Sequence, residues 1–400
     1  MMGLKRRGKR AIVRAIQAVL FVVFGGVGLG ARLAGRARRL DHGDPKRILV
    51  IRLDLLGDLV NSMTAVEALH ERFPEARITV FTLPHTAAIP RRFPSVAEVL
   101  SLDTNRIRSP GNLLRPAIYR DFVAMALRLR REHFDLCVSL HGKMAGLWAF
   151  ISGARRRIGY AGEGYPFLFT DPVPGRRFDR PGHEIGWDLD LAAAAGASGA
   201  PRIPTLAPAA AATARMAARL AELEVRDDDL LIGIHGGAVN GSAKRWPPMH
   251  WAALADRLIE ELGARVVLTG SASEAAISED IRRRMRHQPL VLTGTTDIDE
   301  LMAVLARCDL VLSGDSGPLH MAVALGRPTV SLYGPTDPRI YGPTPQFGQP
   351  AVVIRRDLRC SPCYNLLAPA ECPHGQPACM IDIPARDVFA AAKAVLERAP

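Results

Sequence analysis

Residues 310–338 read LVLSGDSGPLHMAVALGRPTVSLYGPTDP, and the fold class follows from them. Leu310, Val311 and Leu312 have the composition of a buried strand, which breaks at Gly314. Asp315-Ser316-Gly317-Pro318 then opens a short helix carrying His320, Met321, Val323 and Leu325, and Gly326 and Pro328 close it. Residues 329–333 form the next strand. Strand, polar turn, helix and strand make a βαβ unit, the building block of a parallel sheet. Its turn lies at the carboxyl end of a strand, where open α/β sheets hold ligands. Backbone N–H groups freed at the helix start suit a phosphate or pyrophosphate. Asp315 is suited to cap the helix or to hold a sugar hydroxyl, and His320, one turn in, is placed to face the same ligand. A lone DSG would read as a cap. His320 and the strand at Thr329 following in register favour a ligand site formed with Ser316 and Gly317.

Composition sets the bounds. With 400 residues, 48% hydrophobic and 6% aromatic, the chain is long enough for two α/β domains with their own cores. The formal net charge of +12 invites a nucleic-acid reading, but its distribution argues against one. Residues 1–40 hold ten Lys or Arg and no acid, and the remainder carries 42 basic against 40 acidic residues. No basic-aromatic pattern elsewhere supports nucleic-acid binding. Between Arg14 and Arg32 run seventeen uncharged residues, AIQAVLFVVFGGVGLGA, near the lower limit for a spanning helix and weakened by four glycines. A cleaved signal peptide, a full span and an in-plane anchor compete. An anchor with both basic flanks on anionic headgroups satisfies the charges best, so residues 1–45 are expected to attach to the cytoplasmic leaflet of the inner membrane.

The first domain is expected over 46–200. Residues 48–51 are a buried strand, and the loop Arg52-Leu53-Asp54-Leu55-Leu56-Gly57-Asp58 leads into a helix reaching about Phe73. By local sequence alone Asp58 reads as a helix N-cap. Further strands are expected at 78–81, near 99–100 and at 136–140, with a helix over 121–132. The strand at 136–140 ends at His141-Gly142-Lys143, which is either part of an acceptor site or a polar turn. Residues 196–210, GASGAPRIPTLAPAA, are dense in Gly and Pro and read as the linker. The second domain is expected over 201–400. Its first strand, 230–235, ends at Gly236-Gly237, which let backbone approach a phosphate. Lys244 precedes a helix near Pro248, Glu274 follows the strand ending at Gly270, and a last helix over 385–398 is expected to pack back across the domains.

Four segments, in order, carry a resemblance. RILVIRLDLLGDLVNSMTAVEAL (47–69), GARRRIGY (153–160), HGGAVNGSAKRWPPMHWAALADRL (235–258) and GDSGPLHMAVALGRPTVSLYGPTDP (314–338) resemble the motifs of glycosyltransferase family 9, the lipopolysaccharide heptosyltransferases and their relatives. The resemblance runs from about residue 47 to 385. It implies a GT-B fold, two Rossmann-like domains facing across a cleft, with donor bound mainly by the second and acceptor by the first. It implies that Asp58, with Asp54 as the alternative, is the general base that takes the acceptor proton. It implies that Lys244 neutralises the donor diphosphate and that Glu274 reaches the donor ribose. The donor site so read comprises Gly236, Gly237, Lys244, Glu274, Asp315, Ser316, Gly317 and His320; the acceptor site holds His141 and Lys143. The sequence departs from the family at Ser62-Met63-Thr64-Ala65, where a Thr-x-Pro-like stretch is usual.

The expected reaction is transfer of heptose from ADP-heptose, with inversion, to a lipid-linked saccharide such as lipopolysaccharide core. Alternatives are another nucleotide sugar, or a non-catalytic nucleotide-sugar or glycan-binding module on the same fold. No metal or other cofactor is expected to be required, since no Asp-x-Asp stands in a convincing context. Cys360, Cys363, Cys372 and Cys379 are spaced irregularly for zinc, which stays open beside a structural loop.

Overall fold

The computed structural model describes residues 43–398 apart from 109–111, 113–114, 180, 240, 344–349 and 365–370. The expected membrane-associating segment lies outside the described residues. Among those described, no helix is long and apolar enough to cross a membrane.

Among the described residues, twelve strands form two six-stranded sheets, and every pairing is parallel. The first holds β1 (Arg47–Ile51), β2 (Arg77–Thr82), β3 (Glu98–Ser101), β4 (Leu136–Ser139), β5 (Arg156–Tyr160) and β6 (Asp171–Val173). The second holds β7 (Leu231–His235), β8 (Arg265–Leu268), β9 (Leu290–Val291), β10 (Leu310–Gly314), β11 (Thr329–Tyr333) and β12 (Ala351–Arg355). Their orders are β3-β2-β1-β4-β5-β6 and β12-β11-β10-β7-β8-β9. Each chain half therefore starts in mid-sheet, winds to one edge, and returns to wind to the other. The reversal falls between β1 and β4 and between β7 and β10, which places a crevice at those strands' carboxyl ends.

The central strands are buried on both faces, which is why β1, β4, β7 and β10 read as unbroken apolar runs rather than alternating ones. Large rings fill the space between strands and helices: Trp246 meets Trp251 edge to face at 4.8 Å, and Phe81 meets Trp148 at 5.3 Å. One helix begins earlier than expected, at Pro116 rather than 121, because proline suits a first helical turn that needs no N–H.

The halves meet along the helices Leu56–Arg72 and Gly317–Ala324, with Met63 and Met321 in one continuous apolar cluster. Across the same seam, His183 Nε2 lies 3.0 Å from the Gly342 carbonyl. The closing helix, Ala385–Leu396, corrects an expectation. Its apolar face (Val388, Phe389, Ala392, Val395) is buried in the second sheet's own cluster with Trp251 and Leu332, and so does not bridge the domains.

Candidate active site in the cleft

The loops singled out in the sequence at 52–58, 141–143, 236–237 and 315–317 follow β1, β4, β7 and β10, whereas the segment 153–160 contains β5 itself. They are the loops at the two winding reversals. A parallel sheet brings the ends of two non-consecutive strands side by side there, so residues far apart in sequence converge.

In the first sheet the convergence is of charge. Arg52, fully buried at the end of β1, donates to Glu184 in a short contact and to Asp188 Oδ1 at 3.4 Å. Its Nη2 also lies 3.9 Å from Asp58 Oδ1 and 3.8 Å from Asp54 Oδ2. Arg177 stands 3.6 Å from Glu184 and donates to Glu163 at 2.9 Å. Glu163 in turn lies 3.3 Å from His141 Nδ1, and His141 Nε2 is 3.1 Å from Asp54. Five carboxylates thus face two guanidiniums and one imidazole, and they cannot all ionise cheaply. Burial, then Glu184 and Asp54, push the Asp58 carboxyl well above the usual range against the pull of Arg52. Burial opposes ionisation of Glu184, but Arg52 and Arg177 outweigh it and hold its carboxyl at about 2. Asp188, buried, rises to about 6 despite Arg52 and a 2.6 Å bond from Ser62 Oγ. The result is a firmly ionised Glu184 beside an Asp58 that takes up protons readily.

Asp58 is not the helix cap. The helix Leu56–Arg72 is preceded by Leu55 as its N-cap, with no side-chain cap bond. Asp58 lies in the first turn, 19% exposed, turned toward Arg52. Asp54 Oδ1 accepts from the Leu55 amide and so belongs to the loop itself.

In the second sheet, Lys244 Nζ donates to Asp315 Oδ2 at 2.7 Å, and both are buried. His320 Nε2 lies 3.7 Å from the other oxygen of Asp315. Burial opposes the Asp315 charge, but Lys244 and His320 more than offset it and hold the carboxyl far below the usual range. Tyr364 covers Lys244 with its ring, 4.6 Å from the ammonium. The helix Gly317–Ala324 has Ser316 at its N-cap with no side-chain bond to the freed amides; Ser316 Oγ instead meets Ser313 Oγ at 2.8 Å. Its amide end therefore remains open to an anion.

Glu274 closes a capping box with Ser271: its Oε2 accepts from the Ser271 amide and hydroxyl, both at 2.8 Å. Its Oε1 is buried, finds no hydrogen-bond partner among the described residues, and lies 3.6 Å from His235 Nε2. A buried acceptor without a donor is costly, which marks this oxygen as open to a ligand hydroxyl. Gly237 packs flat on the same carboxylate, and a Cβ there would overlap it. Gly236 packs against Ile281 and Trp251.

Of the acceptor pair, His141 joins the carboxylate cluster through Asp54 and Glu163, whereas Lys143 lies over the Tyr165 ring at 5.8 Å. Sequence reasoning did not single out Arg52, Glu163, Arg177, Glu184 or Asp188. One signal was present: an arginine directly after an all-apolar strand is a charge that burial forces to find partners. The six cysteines are free thiols, and among the described residues no group of three or more His, Cys, Asp or Glu is arranged to hold a metal ion. The zinc expectation therefore finds no support. A cavity of about 460 Å³, lined by Lys46, Arg72, Asp135 and Arg156 among others, opens at the amino ends of β1 and β5, away from these loops.

Comparison with known proteins agrees with this architecture. The family model described as glycosyltransferase family 9 (heptosyltransferase) matches residues 122–374. Lipooligosaccharide heptosyltransferase 2 of Haemophilus ducreyi is 29% identical over 324 residues, 77% of this chain and 88% of that protein. The crystal structure of a family 9 glycosyl transferase from Veillonella parvula superposes with a TM-score of 0.74 at 23% identity, covering 88% of this chain and 98% of that one. The solved structure of the ADP-heptose lipopolysaccharide heptosyltransferase II of Escherichia coli gives 0.69 at 25% identity, covering 88% of this chain and 99% of that one. The two facing sheets are thus the GT-B arrangement. With the family model spanning more than half of its length, this chain belongs to glycosyltransferase family 9 and is an enzyme of that heptosyltransferase-like kind.

Proposed function

We propose that the protein is an inverting transferase that moves heptose from ADP-heptose to a lipid-linked saccharide such as lipopolysaccharide core. The observation that carries this reading is a juxtaposition. A proton-accepting carboxylate, Asp58, sits at the domain boundary opposite a buried Lys244–Asp315 pair and an uncapped helix start. The acceptor hydroxyl oxygen attacks the anomeric carbon, its proton passes to Asp58, and the bond to the diphosphate oxygen breaks. A single displacement of this kind inverts the anomeric centre. ADP leaves with its growing charge met by Lys244 and the Gly317 amide end, so no metal need supply that stabilisation. Lys244 is already answered by Asp315, and the helix amides share the task for that reason. Glu274 Oε1 takes the donor ribose, Gly236 and Gly237 line its approach, and Asp315, Ser316 and His320 hold the sugar and phosphate. His141 and Lys143 flank the acceptor.

The domain boundary on this reading falls near residue 200, between the last strand of one sheet and the first of the other. The ten cations of residues 1–40 rest on anionic headgroups at the cytoplasmic face of the inner membrane. The test supplies the full chain with ADP-heptose, and separately with uridine- and guanosine-activated sugars, together with core acceptors of graded length. Nucleoside diphosphate release and acceptor mass are followed. Release of ADP with an added heptose supports the reading. Tight donor binding without release with any acceptor points to a binding module instead, and turnover only with another nucleotide sugar removes heptose as the cargo.

A further inference from the structure

Eight large apolar side chains among the described residues are exposed, and three of them lie on one helix. Tyr119, Val123 and Leu127 are 44, 57 and 50% exposed, at four-residue steps along Pro116–Arg131. At 3.6 residues per turn these steps keep the three within an arc of about 80° and a length of about 12 Å. The opposite face is spent on the fold: Ile118 and Leu129 are buried, and Phe122 meets Trp148 at 5.5 Å. An apolar stripe on the face turned away from the core marks a second contact surface.

The charge around the stripe indicates its partner. Arg115, Arg120, Arg128, Arg130 and Arg131 are all exposed, against one acid in that stretch, Asp121. Glu98 answers Arg128 at 2.5 Å, and Asp121 is shared by Arg106 and Arg120. A positive excess remains. Apolar residues rimmed by arginines match the boundary where anionic headgroups meet acyl chains. A second copy of this chain would bring like charges together. Nucleic acid would use the arginines and leave Val123 and Leu127 without a role.

Position supports the same partner. β3 and β4 run parallel, so the helix between them runs back against the strands, and its first turn starts from the sheet's carboxyl edge, where Asp58 and His141 sit. Trp148, which Phe122 touches, belongs to the helix Gly142–Ile151 that begins directly after His141. The geometry points to the helix Pro116–Arg131 as a docking face for an anionic phospholipid surface, with Tyr119, Val123 and Leu127 at the acyl boundary and the arginines among headgroup phosphates. The cleft would then open beside the bilayer. This goes beyond the sugar-transfer reading and does not depend on which sugar is carried.

The test maps contact directly on the full chain. The protein is mixed with phosphatidylethanolamine/phosphatidylglycerol vesicles carrying an acyl-chain diazirine lipid, irradiated, digested, and its adducts located by mass spectrometry. Adducts within 116–131 are expected, weak or absent with phosphatidylcholine vesicles. In the variant Val123→Asp/Leu127→Asp they should fall by roughly fivefold or more, as added acids meet anionic headgroups. The variant's melting temperature and ADP affinity should be unchanged, since both side chains face solvent. Adducts confined to other segments, residues 1–42 included, overturn the proposal whatever the variant's stability. So does equal labelling from phosphatidylcholine, or an unlabelled helix that sedimentation shows joining two copies. Donor and acceptor are absent from the measurement, so its failure leaves the transferase reading intact, and the reverse holds too.

Discussion

Gly57 lies flat against the imidazole of His320, so that a Cβ at Gly57 would overlap the ring at Cδ2. The contact is answered from the other side, where a Cβ at Gly317 would stand 2.9 Å from Leu56. Two helix starts, one from each sheet, abut through their glycines. Asp58 is the next residue on one side, and His320 reaches Asp315 on the other. The close approach, more than any single side chain, joins the two halves of the candidate site.

Gly57→Ala should therefore uncouple the site. Alanine gains up to about 1 kcal/mol of helix propensity over glycine, but the added methyl must displace His320, at a cost of about 1–3 kcal/mol for overpacking. We expect an unchanged far-UV spectrum and a fall of tenfold or so in kcat/KM, on the scale of a small misplacement of reacting groups. Wild-type turnover in this variant would show that the contact is incidental to catalysis.

Asp58→Asn keeps the shape and removes the proposed base. Since Leu55 and not Asp58 occupies the cap position, helix stability should not suffer, and the loss of a carboxylate beside Glu184 should leave the melting temperature equal or higher. Turnover should drop by about 10²–10⁴ in kcat and kcat/KM alike, with ADP affinity retained. Asp54→Asn, measured in parallel, should do less, because Asp54 bonds its own loop.

Glu184→Gln tests the electrostatics through the pH profile. Glu184 raises the Asp58 carboxyl, and Arg52, once released from Glu184, pulls Asp58 down further. Both effects have the same sign. For a base that must be ionised, activity is lost as pH falls through its pKa, so the acid limb of kcat/KM should lie above the ordinary aspartate value of about 3.9 in the native chain. In the variant the limb should move to lower pH. An unmoved limb would assign it to another group.

Lys244→Met separates stability from binding. It strands the buried Asp315 carboxylate and should cost about 3–5 kcal/mol of unfolding free energy, read by denaturant titration. Adding Asp315→Asn should restore much of the stability, because no unpaired charge is left, yet ADP affinity should stay weak in both. The sign with pH follows from the depressed Asp315 carboxyl. Its contribution is present above the unfolded value of about 3.9 and is lost as pH falls below it, so native and Lys244→Met proteins should converge in stability on acidification.

The fold was largely legible because its determinants are local. Apolar runs at 48–51, 136–140, 230–235 and 310–312, each with a Gly or Asp within the next three residues, specify buried strands and their carboxyl-end loops through neighbouring residues alone. The same local logic located the helix of 317–324. It underestimated the helix at 116, where the irregular run before Pro116 masked the start, and it extended the final helix's packing across a boundary that its apolar face does not reach.

The sequence by itself thus determined two parallel sheets, the loops that carry the candidate residues, and the order of the motifs. Only tertiary structure decided which side chains act on one another. Arg52 meets Glu184 across 132 positions, and Lys244 meets Asp315 across 71. Whether Asp58 caps a helix or faces a cleft depends on where that helix starts and on which charges the winding of the first sheet brings beside it. Coulomb energy and desolvation depend on distance and burial in space, and no spacing along the chain encodes either.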